Sequence, residues 1–300
     1  TNAGGLGKQT SLFLRGTNSA HTVVLVDGVR INLADVGLAM LESLPVEQIE
    51  RIEIVRGPQS SLYGADAIGG VIQIFTRRNA GQFQPHFSAG AGSDGLRQAS
   101  GGIGGAGENG WFGTDISWQH VDGFDATRAA SEPDRDGYRN VTKSLRGGYR
   151  ITDRLSVEGS ALRADGENHY DGYYNYSDTQ QQVMSGKLRY TASDRLALNL
   201  QLSRSDNTSD NFNDDVLLGA AETHRDAASL QADISLAAGQ LLSAGVDWSD
   251  DSVDGSSTGY LVDSRDNTGV FVQYQGQFGR NALQASVRND DNERFGNHTT

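Results

Sequence analysis

Two polar stretches of the chain hold the residue types that bind hard cations. Asp125, Glu132, Asp134 and Asp136 share one stretch, and Tyr170, Asp171 and Asp178 lie in the next long one. Calcium takes about six to eight oxygens from flexible carboxylates and carbonyls. Gly123, Gly137, Gly166 and Gly172 give the backbone freedom to fold round an ion. The spacing is not that of an EF-hand, and solvated acidic loops have the same composition, so at this point both readings stand. Catalytic patterns are missing: the six histidines form no His-x-x-x-His pair and flank no serine nucleophile motif. Asp134 and Asp136 have no apolar run beside them to raise a carboxyl pKa.

A second unusual stretch is RGPQSSLYGADAIGGVIQIFT, residues 56–76. It has glycines in plenty but no Gly-Lys-Ser/Thr, which excludes a phosphate loop. Gly57-Pro58 stops the strand pattern of Ile52–Val55, and Gln59–Ala67 suits a short helical turn. Val71–Phe75 is apolar on both faces, as a strand buried on both sides is. His21–Val26 and Val29–Leu33 read as strands joined at Asp27-Gly28, a hairpin turn.

Composition shifts near Asn79. Beyond it, 196–203, 230–236 and 242–248 alternate apolar with polar residues. The near-copies ITDR (151–154) and ASDR (192–195), with AAGQ (237–240) and FGRN (278–281), mark a hairpin repeat of about 40–45 residues. Between these short turns lie the polar stretches 122–137, 165–178 and 205–215, read as long loops. Short turns on one side and long loops on the other describe an up-and-down membrane barrel. A soluble all-β repeat protein remains open on this evidence. With 300 residues, net charge −13 and no cysteine, the chain is long enough for two domains. Nucleic acid is excluded as a partner, since phosphate binding needs clustered Lys and Arg.

SLFLRGTN (11–18), VLVDGVRIN (24–32) and IERIEIVRGPQSSLYGADAIGGVIQIFT (49–76) resemble the plug domain of TonB-dependent outer-membrane receptors, several separate blocks in the family's order. Within that family, RGTNSAHTVVLVDGVRINLADV, YGADAIGG, AGVDW, TGY, RDNTGV and RNDDNERFGNHTT are similar to the cobalamin (vitamin B12) receptors. The resemblance implies a small mixed α/β plug domain over residues 1–78, its amino-terminal part missing. It further implies that 79–300 is the first half of an antiparallel transmembrane β-barrel. About eleven strands are counted there, against roughly twenty-two in a closed barrel of this family. The chain is thus expected to be an internal portion of a longer receptor, monomeric when full length. It would sit in outer-membrane lipid of a Gram-negative bacterium and import cobalamin with energy from TonB.

The same resemblance implies calcium as cofactor, held by Asp125, Glu132, Asp134, Asp136, Tyr170, Asp171 and Asp178. Glu132 replaces a glutamine of the family, which keeps an oxygen. It implies ligand contacts at Gln9, Ser11 and Asn18 on one plug loop, Val36 and Gly37 on another, and Gly172 on a barrel loop. Gln9 and Gly37 depart from the residues the family places there. A ferric-siderophore receptor is the alternative within the family, and an outer-membrane β-barrel hydrolase the alternative outside it.

Overall fold

The computed structural model describes residues 2, 4–78, 81–126, 134–256 and 259–300. Two sheets organise them. The first has four strands: β1 (Thr22–Val26), β2 (Val29–Arg30), β3 (Ile49–Arg56) and β4 (Gly70–Thr76), in the order β2-β1-β4-β3. β1 runs parallel to β4, and the outer pairs are antiparallel. One four-residue helix, α1 (Ser60–Tyr63), lies between β3 and β4. β1 is buried throughout because it packs on both faces. Val24 and Val26 join Val29, Ile31, Ile72 and Ile74 on one side, and Val23 and Leu25 join Ala67 and Val71 on the other.

The glycines of the 56–76 stretch permit this packing. A Cβ on Gly69 would stand 2.2 Å from the Thr17 hydroxyl. One on Gly70, whose φ is +146°, would stand 2.3 Å from the Val55 carbonyl oxygen. Asp27 and Gly28 both take positive φ in the two-residue β1–β2 turn.

The second sheet is antiparallel throughout and runs in chain order through twelve strands. They are β5 (Gln84–Ala91), β6 (Arg97–Ala106), β7 (Gly110–Val121), β8 (Tyr138–Thr152), β9 (Leu155–His169), β10 (Tyr176–Ser193), β11 (Leu196–Asn213), β12 (Val216–Ala237), β13 (Gln240–Gly255), β14 (Ser264–Phe278), β15 (Asn281–Asn292) and β16 (Gly296–Thr299). The short β16 is the strand a sequence count misses. Two-residue turns join β8–β9, β10–β11, β12–β13 and β14–β15 at one rim, where the repeated tetrapeptides fall. The opposite rim carries the longer connections 122–137, 170–175 and 256–263. Residues 205–215 are not a loop: β11 continues to Asn213 and turns at Asp214-Asp215.

Cross-strand register sorts the faces. Leu188, Leu200, Leu230, Val246 and Val270 stand opposite one another across β10–β14, all on the exposed convex face. One position along, Lys187, Gln201, Ser229, Asp247 and Gly269 form the neighbouring row on the concave face. An apolar exterior and polar interior is the pattern of a barrel wall in lipid.

The four-stranded unit sits against the concave face through polar contacts. Lys187 donates to the Asp27 carbonyl at 2.7 Å, Gln201 to the Gly28 carbonyl at 3.1 Å, and Asn140 to the Ser43 carbonyl at 3.0 Å. One charged pair is buried there. The Asp27 carboxylate accepts from the Thr76 amide at 3.1 Å and the Thr76 hydroxyl at 2.6 Å, and lies 3.3 Å from the Arg146 guanidinium. Arg146 also donates to the carbonyl and hydroxyl oxygens of Thr76. Val183 is the barrel-wall residue that enters the apolar cluster of the small sheet.

Candidate functional site

Two loops of the small domain point toward the long-loop rim. The first, 9–18, leaves Gln9 and Asn18 exposed and Ser11 half-buried. The Asn18 carbonyl accepts from the His21 amide at 2.9 Å and opens the turn Ser19–His21, while its side chain makes no capping bond. The second loop reverses at Gly37, φ +70°, whose amide donates to the Leu33 carbonyl at 2.9 Å. Asn32 holds it by donating to the Gly37 carbonyl at 2.8 Å. A Cβ on Gly37 would stand 2.9 Å from that of Ala20, so the second loop touches the Ser19–His21 turn that follows Asn18. Val36 projects beside them, 53 % exposed. Gly172 lies on the β9–β10 loop, exposed, with the Tyr174 carbonyl 3.4 Å from where its Cβ would be.

Of the acidic residues, Asp125 and Asp134 line one open hollow with Asp94, Gly95 and Phe124. Asp136 is buried, 4 % exposed, and one of its carboxylate oxygens accepts from the Ala126 amide at 2.8 Å. Its other oxygen is buried with no hydrogen-bond partner among the described residues. Burial raises the Asp136 pKa, and the Asp171 and Asp134 charges add to this, against the opposing pull of the Ala126 amide and Lys8. Asp134, Asp136 and Asp171 therefore feel one another, yet among the described residues no three carboxylate or histidine groups converge at metal-binding distance.

Tyr170 is engaged elsewhere, its hydroxyl donating to Asn211 at 3.3 Å. Asp178 stands apart. It sits on β10 opposite Glu167 and Asp210, and shares a surface groove with Arg139 and Asp165. Glu132 lies outside the described residues. The buried oxygen of Asp136 without a partner among the described residues is the one feature here that suits a hard cation, and the Asp125, Asp134, Asp136 and Asp171 carboxylates do not converge on a single point around it. Asp178 does not belong to that group.

Lys8 is the residue that sequence reasoning misses. Only 5 % exposed, it extends from the small domain to the rim. Its ammonium donates to the His169 carbonyl at 2.6 Å, Asn168 Oδ1 at 2.7 Å, the Asp136 carbonyl at 3.1 Å and the Gly137 carbonyl at 3.3 Å. Burial lowers its pKa, with Asp136 pulling the other way. Its signal in the sequence is a single lysine ending a glycine-rich run, which names no partner.

A four-stranded mixed sheet seated against the concave wall of a large antiparallel sheet is the arrangement of a plugged outer-membrane barrel. Residues 1–71 match the family model described as the TonB-dependent Receptor Plug Domain. Its amino-terminal part is thus a TonB-dependent receptor plug domain, and the strands that follow have the barrel-wall fold of those receptors, which are outer-membrane β-barrel proteins of Gram-negative bacteria.

Among curated relatives it is 35% identical over 303 residues to the "Vitamin B12 transporter BtuB" of Photobacterium profundum, covering 99% of this chain and 50% of that one. The protein of the same name from Vibrio vulnificus is 35% identical over 317 residues, with the same coverage. The chain spans about half the length of the curated relatives it matches. Among solved structures, a mutant of the ferric enterobactin receptor of Pseudomonas aeruginosa superposes with TM-score 0.80 at 18% identity, covering 98% of this chain and 52% of that one. The siderophore receptor PirA of the same organism gives 0.75 at 21%, covering 95% and 51%. At these identities the two structures support the fold alone.

Proposed function

We propose that this chain carries the plug and barrel wall of a cobalamin importer driven by TonB. The observation that carries the reading is the 35% identity to vitamin B12 transporters along 99% of the chain. The chemistry of the plug loops agrees with it. Ser11, Asn18 and Val36 offer neutral hydrogen-bonding groups and an apolar edge, without a cluster of cations. Cobalamin presents peripheral amides that such groups pair with, whereas an anionic ferric siderophore would bury charge without a partner. The receptor acts as a monomer in outer-membrane lipid, and its work is transport, not catalysis.

Calcium is the proposed cofactor, and Asp125, Asp134, Asp136 and Asp171 are the residues that would hold it. When bound, it neutralises carboxylates that otherwise repel one another, and so orders the two loops above the plug. Ligand then binds between plug loops and ordered barrel loops, and the plug rearranges to open a path along the polar wall.

The test is equilibrium binding of cobalamin and of a ferric siderophore by the receptor purified as the cell makes it, with and without calcium. Saturable cobalamin binding that calcium strengthens is expected. Ser11→Ala or Asn18→Ala should each weaken it by roughly fivefold to tenfold, one neutral hydrogen bond being worth about 1 kcal/mol. Asp134→Ala and Asp171→Ala should weaken it only when calcium is present. Tight siderophore binding without cobalamin binding would transfer the reading to a siderophore receptor. Indifference to calcium across the millimolar range would remove the cofactor.

A further inference from the structure

We propose that Lys8 is a tethered cation, filling an oxygen-lined monovalent-cation socket through which the plug holds the bases of the two acidic loops. The socket has four walls: the carbonyls of Asp136, Gly137 and His169, and Oδ1 of Asn168. An ammonium has three protons, so four acceptors within 3.3 Å surround it the way oxygens surround a small monovalent ion. All four walls belong to the barrel, and the cation belongs to the plug. Asp136 and Gly137 lead into β8, and Asn168 and His169 end β9. The two strands already meet there, with Tyr138 opposite Asn168 and the His169 amide donating to the Gly137 carbonyl at 3.0 Å.

The surroundings favour this occupant. Lys8 is buried, and a buried ammonium without acceptors would be costly. The Asp136 carboxylate supplies negative charge close by and keeps one buried oxygen without a partner among the described residues. The lysine is fixed at its own backbone, where Asn2 donates to the Lys8 carbonyl at 3.4 Å. Beside it, a Cβ on Gly7 would overlap the Tyr138 ring at 2.1 Å, so the chain can pass this close to β8 only with glycine there. The socket is thus full only while the plug's first loop is seated. Withdrawal of that loop takes the cation away from all four oxygens at the loop bases, of which the Gly137 carbonyl keeps the His169 amide. Plug position and loop order are linked through one side chain, whichever ligand the receptor carries.

The experiment removes the tether and offers a free ion. Lys8→Met keeps the apolar stem and deletes the charge. Amide hydrogen exchange is followed in residues 134–140 and 166–172 of the purified receptor, without divalent cations. Loss of charge-assisted hydrogen bonds should speed exchange there by about tenfold to a hundredfold. Ammonium or potassium at tens of millimolar should restore protection in Lys8→Met, choline should not, and the wild type should respond to none of the three. Unchanged exchange in Lys8→Met overturns the proposal. So does a loss that choline restores equally, which is an ionic-strength effect, or one that only calcium restores, which belongs to the carboxylates. A variant that also loses protection in β1 and β4 has an unfolded plug. In that case Lys8→Gln, which keeps a donor without the charge, decides: cation-dependent protection supports the socket, and its absence overturns it.

Discussion

The buried pair between Asp27 and Arg146 pins plug to barrel, and its removal should be felt through the whole plug sheet. Arg146→Met deletes the guanidinium and leaves the Asp27 carboxylate with two donors, both from Thr76, where it had three neighbours. Both side chains are less than a tenth exposed, so solvent cannot replace the lost partner. Breaking such a pair from one side costs about 3–5 kcal/mol. The two retained Thr76 bonds favour the lower figure for Arg146→Met. At about 1.4 kcal/mol per tenfold, the opening constant of β1 and β4 rises roughly a hundredfold. Asp27→Asn leaves the arginine buried without its counter-charge and should cost a similar amount. The double variant should recover most of the loss, because a neutral pair of similar shape strands no charge. Native-state hydrogen exchange of peptides spanning 22–30 and 70–76 reads all three. Arg146→Met and Asp27→Asn each within threefold of wild type would refute the reasoning, as would strict additivity in the double variant.

Glu42 gives a pH test. Burial raises its pKa from 4.5 to about 7, against amide hydrogen bonds from its own backbone and Thr10 that favour the charged form. The folded state therefore binds more protons than the unfolded state within that window, and plug stability should fall as pH rises from 4.5 to about 7, then level off. Urea titration of the plug by pulse proteolysis should show this slope in wild type and its loss in Glu42→Gln. Leu200 lies in the exposed apolar row, so Leu200→Arg should destabilise the protein folded in bilayers by about 2–4 kcal/mol, and an equal change in Gln201→Arg would contradict the facing. Gly70→Ala should cost about 1–3 kcal/mol from φ alone, and more from its clash with the Val55 carbonyl, seen as a lowered plug melting temperature.

What the sequence made legible follows from where polarity contrasts. Leu196–Ser203 alternates because one side of the strand is the exposed apolar face of the large sheet and the other its polar, plug-facing side. The same strand continues to Asn213 without alternation, polar residues standing on both of its faces, and that half reads as loop. The crowding at Gly69 and Gly70 shows in composition, because only glycine tolerates it. The acidic loops show in composition too, but strand geometry sorts their members. Asp178 is near Asp171 in the chain, yet β10 seats it among Glu167 and Asp210. Lys8 could not be read at all, because its partners lie 128 to 161 positions away and three of its four contacts are backbone carbonyls, which any residue supplies.

The plug core is apolar and its contact with the barrel wall is largely polar, and this contrast makes a slip plane. Within the small sheet, shear between β1 and β4 would break a parallel ladder and expose valine and isoleucine to water. Along the wall, Lys187, Gln201 and Asn140 donate to plug carbonyls, the neutral bonds worth about 1 kcal/mol each and the charged Lys187 bond about 1.5–3 kcal/mol. A force on this unit therefore meets its least resistance between the sheets, and the small sheet travels as a block. Resistance along that plane includes two buried studs, Arg146 on Asp27 and Lys8 in its socket, beside the Arg78–Glu158 pair and the Arg288 bond to the Leu62 carbonyl. The force at which the block starts to move is set by such discrete polar contacts more than by the area of the surfaces that meet.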